Sequence, residues 1–261
     1  MAADRVLALE GIHNFRDYGG YAVAGGGRLK RGMLWRSGQH HGASDADLER
    51  IAALELTSVH DLRTERERTL QPCRRPAGFA GQVHVPPVSS RQLAPHMAAA
   101  ATTRQRTAEE TREALRRNYG GIAFRPELIA AMRTYLADLA EGRGASLINC
   151  MAGKDRTGIS VAMLHLAVGV HRDDIVADYL LTNTAGDSEA RIGAGAATVR
   201  AMGGPVDEAI VRVIMGVEPE YIENMFDTVV ERHGSIEAYL EVQLGADAAL
   251  RERLRNVLVE A

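Results

Sequence analysis

Cysteine is scarce in this chain: there are two, Cys73 and Cys150. Two are too few for a disulfide framework, and they suit a reducing compartment. Long apolar runs are missing as well. No uninterrupted stretch approaches the roughly 20 residues a membrane span needs. The longest apolar helical pattern, 159–170, contains His165 and reads as a buried core helix. The first residues carry Asp4 and Glu10 and no sustained apolar segment, so no signal peptide is visible. These absences point to a cytoplasmic protein with no transmembrane segment, and leave non-classical secretion open. An excess of positive charge is also lacking. The formal net charge is −3, which gives no support to a duplex nucleic-acid binder. The Walker spacing is absent, and no nucleotide cofactor is implied. No internal repeat stands out.

The chain has the means for a core. Its 261 residues are 46% hydrophobic and 25% charged, as expected of one globular domain spanning 1–261. Residues 11–44 are glycine-rich and read as loops and short strands. Ser44, with Asp45 and Asp47 behind it, starts a helix with negative charge at its positive end. Residues 56–62 read as a strand, 64–82 as irregular, and 83–85 as a strand closed by Pro86 and Pro87. Residues 89–121, with alanine runs and a charged stretch from 104 to 117, suggest one or two exposed helices inserted as a lid. Pro126 opens a helix whose apolar face is Leu128, Ile129, Met132, Leu136 and Leu139. Strand 145–149 and helix 156–169 follow, then helices at 172–183, 188–202, 206–214, 219–233 and 246–258. Early alternation and late helices imply an α/β fold. Its central, mostly parallel sheet has four or five strands, flanked by helices on both faces.

The chemistry concentrates in Asn149-Cys150-Met151-Ala152-Gly153-Lys154-Asp155-Arg156-Thr157-Gly158. A strand enters this segment and an apolar helix leaves it, the layout of a phosphate cradle. Backbone N–H groups of Met151, Ala152, Gly153, Lys154, Asp155 and Arg156 turn toward a bound phosphate, and Gly153 permits the tight path. The planar fork of Arg156 suits two phosphate oxygens. Cys150 sits beneath the phosphorus, where the amides, the helix dipole and Arg156 favour its thiolate; such surroundings lower a thiol pKa from about 8.5 to roughly 3.5–7.5. The thiolate attacks in line, a cysteinyl-phosphate forms, and water cleaves it. Thr157 either donates a hydrogen bond to the sulfur or satisfies the helix start. Cys73 lies in a polar, proline-flanked stretch and reads as incidental.

The string Cys-x5-Arg-Thr-Gly resembles the loop of the protein tyrosine phosphatase superfamily. The longer run 150–158 is similar to its atypical bacterial branch, which includes mycobacterial tyrosine, serine and phosphoinositide phosphatases. Asn14-Phe15-Arg16-Asp17-Tyr18-Gly19-Gly20, Arg36-Ser37-Gly38, Asp61-Leu62-Arg63-Thr64-Glu65, 175–180 and 234–240 match family motifs in family order. The resemblance implies a metal-independent, cofactor-free phosphatase with a helical lid, matching 89–121. Its substrates would be phosphotyrosine proteins and, in some relatives, phosphoserine, phosphothreonine or phosphoinositides, with inorganic phosphate as product.

Two positions depart from the pattern. Asn149 stands where most members carry histidine, and an amide cannot bring positive charge to the thiolate. Ser90 stands where a relative has aspartate, so the general acid must come from elsewhere. Asp155, beside Arg156, is the first choice; its alternative role is to brace the loop. Asp61 is expected to bind Arg63 or a turn. Lys154 reads either as a positive group at the pocket mouth, suited to a phosphoinositide headgroup, or as a solvated lysine. Arg16 is included among the substrate-binding candidates with Met151, Ala152, Gly153, Lys154, Thr157 and Gly158. Asp17 and Arg63 read as structural.

The expected function is phosphomonoester hydrolysis with Cys150 as nucleophile, Arg156 as phosphate clamp and Asp155 as proton donor, with no metal. Two other readings stay open. One is a catalytically weak phospho-ligand binding module. The other is an arsenate reductase or sulfurtransferase; a reductase would need Cys73 as resolving thiol.

Overall fold

The computed structural model describes residues 4–87, 107–201 and 207–261. Its centre is a five-stranded sheet formed by β1 (Arg16–Asp17), β3 (Leu34–Ser37), β6 (Ser146–Asn149), β4 (Ser58–Asp61) and β5 (Gln82–His84), in that spatial order. β1 runs antiparallel to β3, and the remaining neighbours are parallel. The register places Ser37 and Asp61 on either side of Asn149. The carboxyl ends of three parallel strands therefore meet at one place, where ligands bind in open α/β sheets. A second, two-stranded ribbon pairs β2 (Arg28–Leu29) with β7 (Val259–Glu260).

The strands alternate between two cores. Leu147 packs with Phe15, Ile51 and Val59 under α1 (Asp45–Ala52), whereas Ile148 faces the larger core with Leu34, Ile159 and Tyr135. The larger core is built by α4 (Pro126–Ala140), α5 (Asp155–Val168), α6 (Arg172–Leu180) and the late helices. Helices stand where the sequence predicts them, from 126 onward and at 156–169, 172–183, 188–202, 206–214, 219–233 and 246–258, whereas the helix Ile236–Val242 has no counterpart in that expectation. After α6 comes a single 3₁₀ turn at Leu181–Asn183. Then follow α7 (Ser188–Ala201), α8 (Glu208–Met215), α9 (Pro219–His233), α10 (Ile236–Val242) and α11 (Ala248–Leu258). Among the described residues no helix is long and apolar enough to cross a membrane.

Two corrections concern helices. Residues 64–82 are not wholly irregular: α2 (Glu65–Leu70) starts at a capping box, in which Thr64 and Glu67 satisfy each other's backbone N–H. It has no buried residue, so apolar periodicity could not reveal it. The second concerns the expected lid. Residues 88–106, with Ser90, lie outside the described residues. The remainder forms α3 (Ala108–Ile122), which is not an exposed excursion. Its Leu115, Tyr119 and Ile122 are buried in the main core, along with Tyr221, Met225 and Phe226 of α9.

Candidate active site

The segment expected to bind an anion leaves β6 at Asn149 and enters α5 at Asp155. Cys150 is buried and unpaired in a disulfide. Neighbouring strand ends fasten the turn on both sides. The Leu62 N–H donates to the Asn149 carbonyl at 2.8 Å, and the Gln39 N–H to that of Met151 at 3.1 Å. Gly153 is the sharp point, with φ of +66°. Its carbonyl accepts from Asn14 Nδ2 at 2.8 Å and from Arg36 Nη2 at 3.0 Å. The motifs at 14–20 and 36–38 thus act on the loop through one peptide group.

A Cβ on Gly153 would lie 2.4 Å from the backbone of Ser37, which has nowhere to move inside the sheet. Gly153→Ala is therefore expected to cost about 2 kcal/mol or more, from the left-handed backbone alone, and to distort the loop. Urea unfolding and aryl-phosphate turnover check this. A variant as stable and active as the parent would mean that the loop takes a different path.

No side chain caps α5: Lys154 holds the N-cap position without a capping bond. The first N–H groups of a helix have no partner within it, so this end, with its positive dipole, is open to an anion. Arg156 lies on the first turn. Its Nη1 donates to Glu67 Oε2 at 2.7 Å and to the Leu62 carbonyl at 3.0 Å, and its Nη2 to Glu67 Oε1 at 2.9 Å. Five N–H donors make up a guanidinium. Glu67 and Leu62 take three, at the end of the fork and on one flank. The Nε–H, buried without a partner, and the second Nη2 hydrogen remain along the other edge. The fork can still grip two oxygens, but side-on. Burial pushes the Arg156 pKa down, yet the charges of Cys150 and Glu67 outweigh burial and raise it above the usual arginine value. The guanidinium is permanently positive. Thr157 Oγ1 and Asn149 Oδ1 are also buried polar atoms without a hydrogen-bond partner.

Glu67 is the residue that sequence reading missed. The signal was present in Thr64-x-x-Glu67, the capping-box pattern. One carboxylate both caps α2 and orients Arg156. Tyr119 of α3 was missed too. Its hydroxyl donates to Asp155 Oδ1 at 2.5 Å and accepts from the Tyr179 hydroxyl at 2.7 Å. Asp155 is buried, with Lys154 Nζ 3.3 Å from the same oxygen. A side chain would barely fit at Gly158, where a Cβ would stand 3.0 Å from the Tyr179 ring.

Lys154 corrects both earlier readings. It is neither at a pocket mouth nor solvated: its ammonium is buried and donates to the carbonyls of Ile214 at 2.6 Å and Gly216 at 3.1 Å. With Asp155 these occupy its three donors. Arg16 is likewise engaged within the protein, bonding Asn14 and the Asp178 carbonyl, with the Asp178 carboxylate 3.6 Å away. Its guanidinium is fully buried, and its Nε makes no hydrogen bond. Asp61 receives Arg63 through Nε at 2.9 Å and Nη2 at 2.8 Å, as expected, and also Asn149 Nδ2 at 3.3 Å. Met151 and Ala152 are part-exposed at the loop, whereas Gly153 and Thr157 are buried. The sulfur of Cys73 accepts the His40 backbone N–H at 3.1 Å, which gives it a structural partner.

Comparison with known proteins converges on one group. A family model described as the tyrosine phosphatase family matches residues 7–260. A protein of Cupriavidus necator named as a tyrosine-protein phosphatase is 33% identical over 247 residues, covering 93% of this chain and 85% of its own. The triple specificity protein phosphatase PtpB of Mycobacterium tuberculosis is 31% identical over 284 residues, covering 97% of this chain and 99% of its own.

Proposed function

The chain belongs to the tyrosine phosphatase family, and on that premise we propose that it hydrolyses phosphomonoesters through a covalent intermediate on Cys150. One observation carries the reading: a buried cysteine begins the turn that leads into an uncapped helix start, and an arginine on that helix's first turn has its Nε edge left unpartnered. The Cys150 thiolate attacks phosphorus as the ester oxygen leaves on the opposite side; an S–P bond forms and a P–O bond breaks. Water then attacks phosphorus, the S–P bond breaks, and inorganic phosphate departs. The Nε and Nη2 hydrogens of Arg156 and the first amides of α5 carry the charge spread over the transferring oxygens. The Thr157 hydroxyl, otherwise unpartnered, donates to the returning thiolate. None of these steps needs a metal.

Asp155 serves as proton donor to the leaving oxygen and then as base for water. Its bonds to Tyr119 and Lys154 hold it still, but both favour the ionised form. The base role is therefore the better supplied, and leaving groups that depart without a proton are favoured. Phenolate is such a group, which makes phosphotyrosine the preferred substrate over phosphoserine and phosphothreonine. Activity on phosphoinositides loses one support, because the positive charge expected from Lys154 faces the protein. Within the stretch expected as a lid, α3 reaches the site through Tyr119, while residues 89–106 lie outside the described residues.

The test is a rate comparison between aryl and alkyl phosphates, with and without chelator. Asp155→Asn should slow the alkyl ester by about 10²-fold or more, the usual worth of a positioned acid, and the aryl ester less. Equal, slight effects on both would remove proton transfer from Asp155's task. Loss of wild-type activity in chelator with the melting temperature unchanged would contradict the metal-free route. A weakly catalytic binding module is favoured by one feature only, the uncharged Asn149. Tight phosphopeptide binding without release of phosphate would establish that alternative.

A further inference from the structure

Away from the Cys150 loop, three side chains from three elements converge at the β5 side of the sheet: His60 of β4, His84 of β5 and Asp138 of α4. One ligand atom from each lies within 4.8 Å of the other two. His60 Nε2 is 2.9 Å from Asp138 Oδ2, and His84 Nε2 is 3.4 Å from Oδ1. His84 Nε2 is buried yet makes no hydrogen bond, an arrangement that costs stability unless another group satisfies it. The Asp138 carboxylate is further held by Arg143. Nothing in the proposed hydrolysis uses these residues.

We propose that His60, His84 and Asp138 form a binding site for one divalent transition-metal ion of the zinc type. Two imidazoles and one carboxylate are the donor set such ions take, with a fourth position left to water. Binding requires two movements. The two imidazole rings are stacked, with centroids 4.6 Å apart and planes within 5°, and one ion cannot lie in two parallel ring planes. His84 must turn; it is 16% exposed on an edge strand, whereas His60 is 2% exposed and fixed. Arg143, half exposed, must release the carboxylate it now shares. The bound ion ties β5 and α4 to β4, and β4 ends at the Asp61 that holds Arg63 and Asn149.

The experiment uses the full chain with both cysteines replaced by serine, so that no thiolate competes for metal. This protein is inactive on the proposed mechanism, so the result is independent of that mechanism. Cobalt(II) is titrated by its visible absorption and zinc by calorimetry. One equivalent is expected, with a raised melting temperature. His84→Ala should weaken binding by roughly 10-fold or more, the least that even outer-shell losses cost. Arg143→Ala should bind more tightly, because a competing cation is gone; misfolding could not mimic that gain. Absence of stoichiometric binding in the parent would overturn the proposal. So would unchanged affinity in His84→Ala, or weaker binding in Arg143→Ala.

Discussion

Cys150→Ser is expected to keep its fold and its affinity for inorganic phosphate while turnover of an aryl phosphate falls to near background. The fall should be on the order of 10⁴- to 10⁶-fold, the scale on which removal of a covalent nucleophile is felt. The separation of binding from turnover follows from the site's construction. On the proposed mechanism the oxyanion contacts come from the amides at the start of α5 and from the open edge of Arg156, and none of them passes through sulfur. Serine fits the same buried space but offers a hydroxyl where a thiolate is required. Acid quenching of the wild-type enzyme during turnover should trap phosphate on Cys150, and the variant should trap none. Turnover preserved in Cys150→Ser would end the covalent mechanism, whatever the fold.

The second large effect is on stability. Asp178→Asn is expected to cost about 3–5 kcal/mol, the penalty for leaving a buried charge without its partner. Asp178 is buried and serves two arginines: Arg36 Nη1 at 2.7 Å and Arg16 Nη2 at 3.6 Å. Both guanidiniums are fully buried. Burial pushes the Asp178 carboxyl up, but Arg16 and Arg36 outweigh it and hold its pKa at about 2. The folded value lies below the ordinary value of 3.8. The stabilisation is therefore complete above about pH 4 and is lost as pH falls toward 2. Urea unfolding at neutral pH measures the loss, and the acid limb of the stability profile should flatten in the variant. A loss below about 1 kcal/mol, no more than an ordinary substitution brings, would show that the two arginines find other partners.

Much of this arrangement was legible in the residues. The Cys150–Gly158 run, its entering strand and its leaving helix were visible because glycine, arginine and apolar periodicity each answer a local requirement. The central sheet, expected with four or five strands, and the late helices other than α10 were visible for the same reason. Lys154 was misread because a lysine in a loop is ordinarily solvated, and no local pattern marks one that reaches the carbonyls of Ile214 and Gly216. The bond from Arg16 to Asp178 was not legible, because the two residues are 162 positions apart. Tyr119 sits in a charged, alanine-rich stretch whose composition resembles an exposed helix, and only tertiary packing turns that helix inward. Glu67 needed no tertiary knowledge; its spacing from Thr64 was sufficient.

The tether from Lys154 has a consequence for synthesis on the ribosome. The loop's lysine and aspartate are satisfied only when Tyr119 and the carbonyls of Ile214 and Gly216 are in place. A nascent chain that has emerged as far as Gly158 carries every group of the anion-binding turn but lacks the two carbonyls that receive the Lys154 ammonium once it is buried. The pocket therefore matures late, after some sixty further residues have followed. Until then the growing chain is a cysteine-bearing polypeptide and not yet a catalyst.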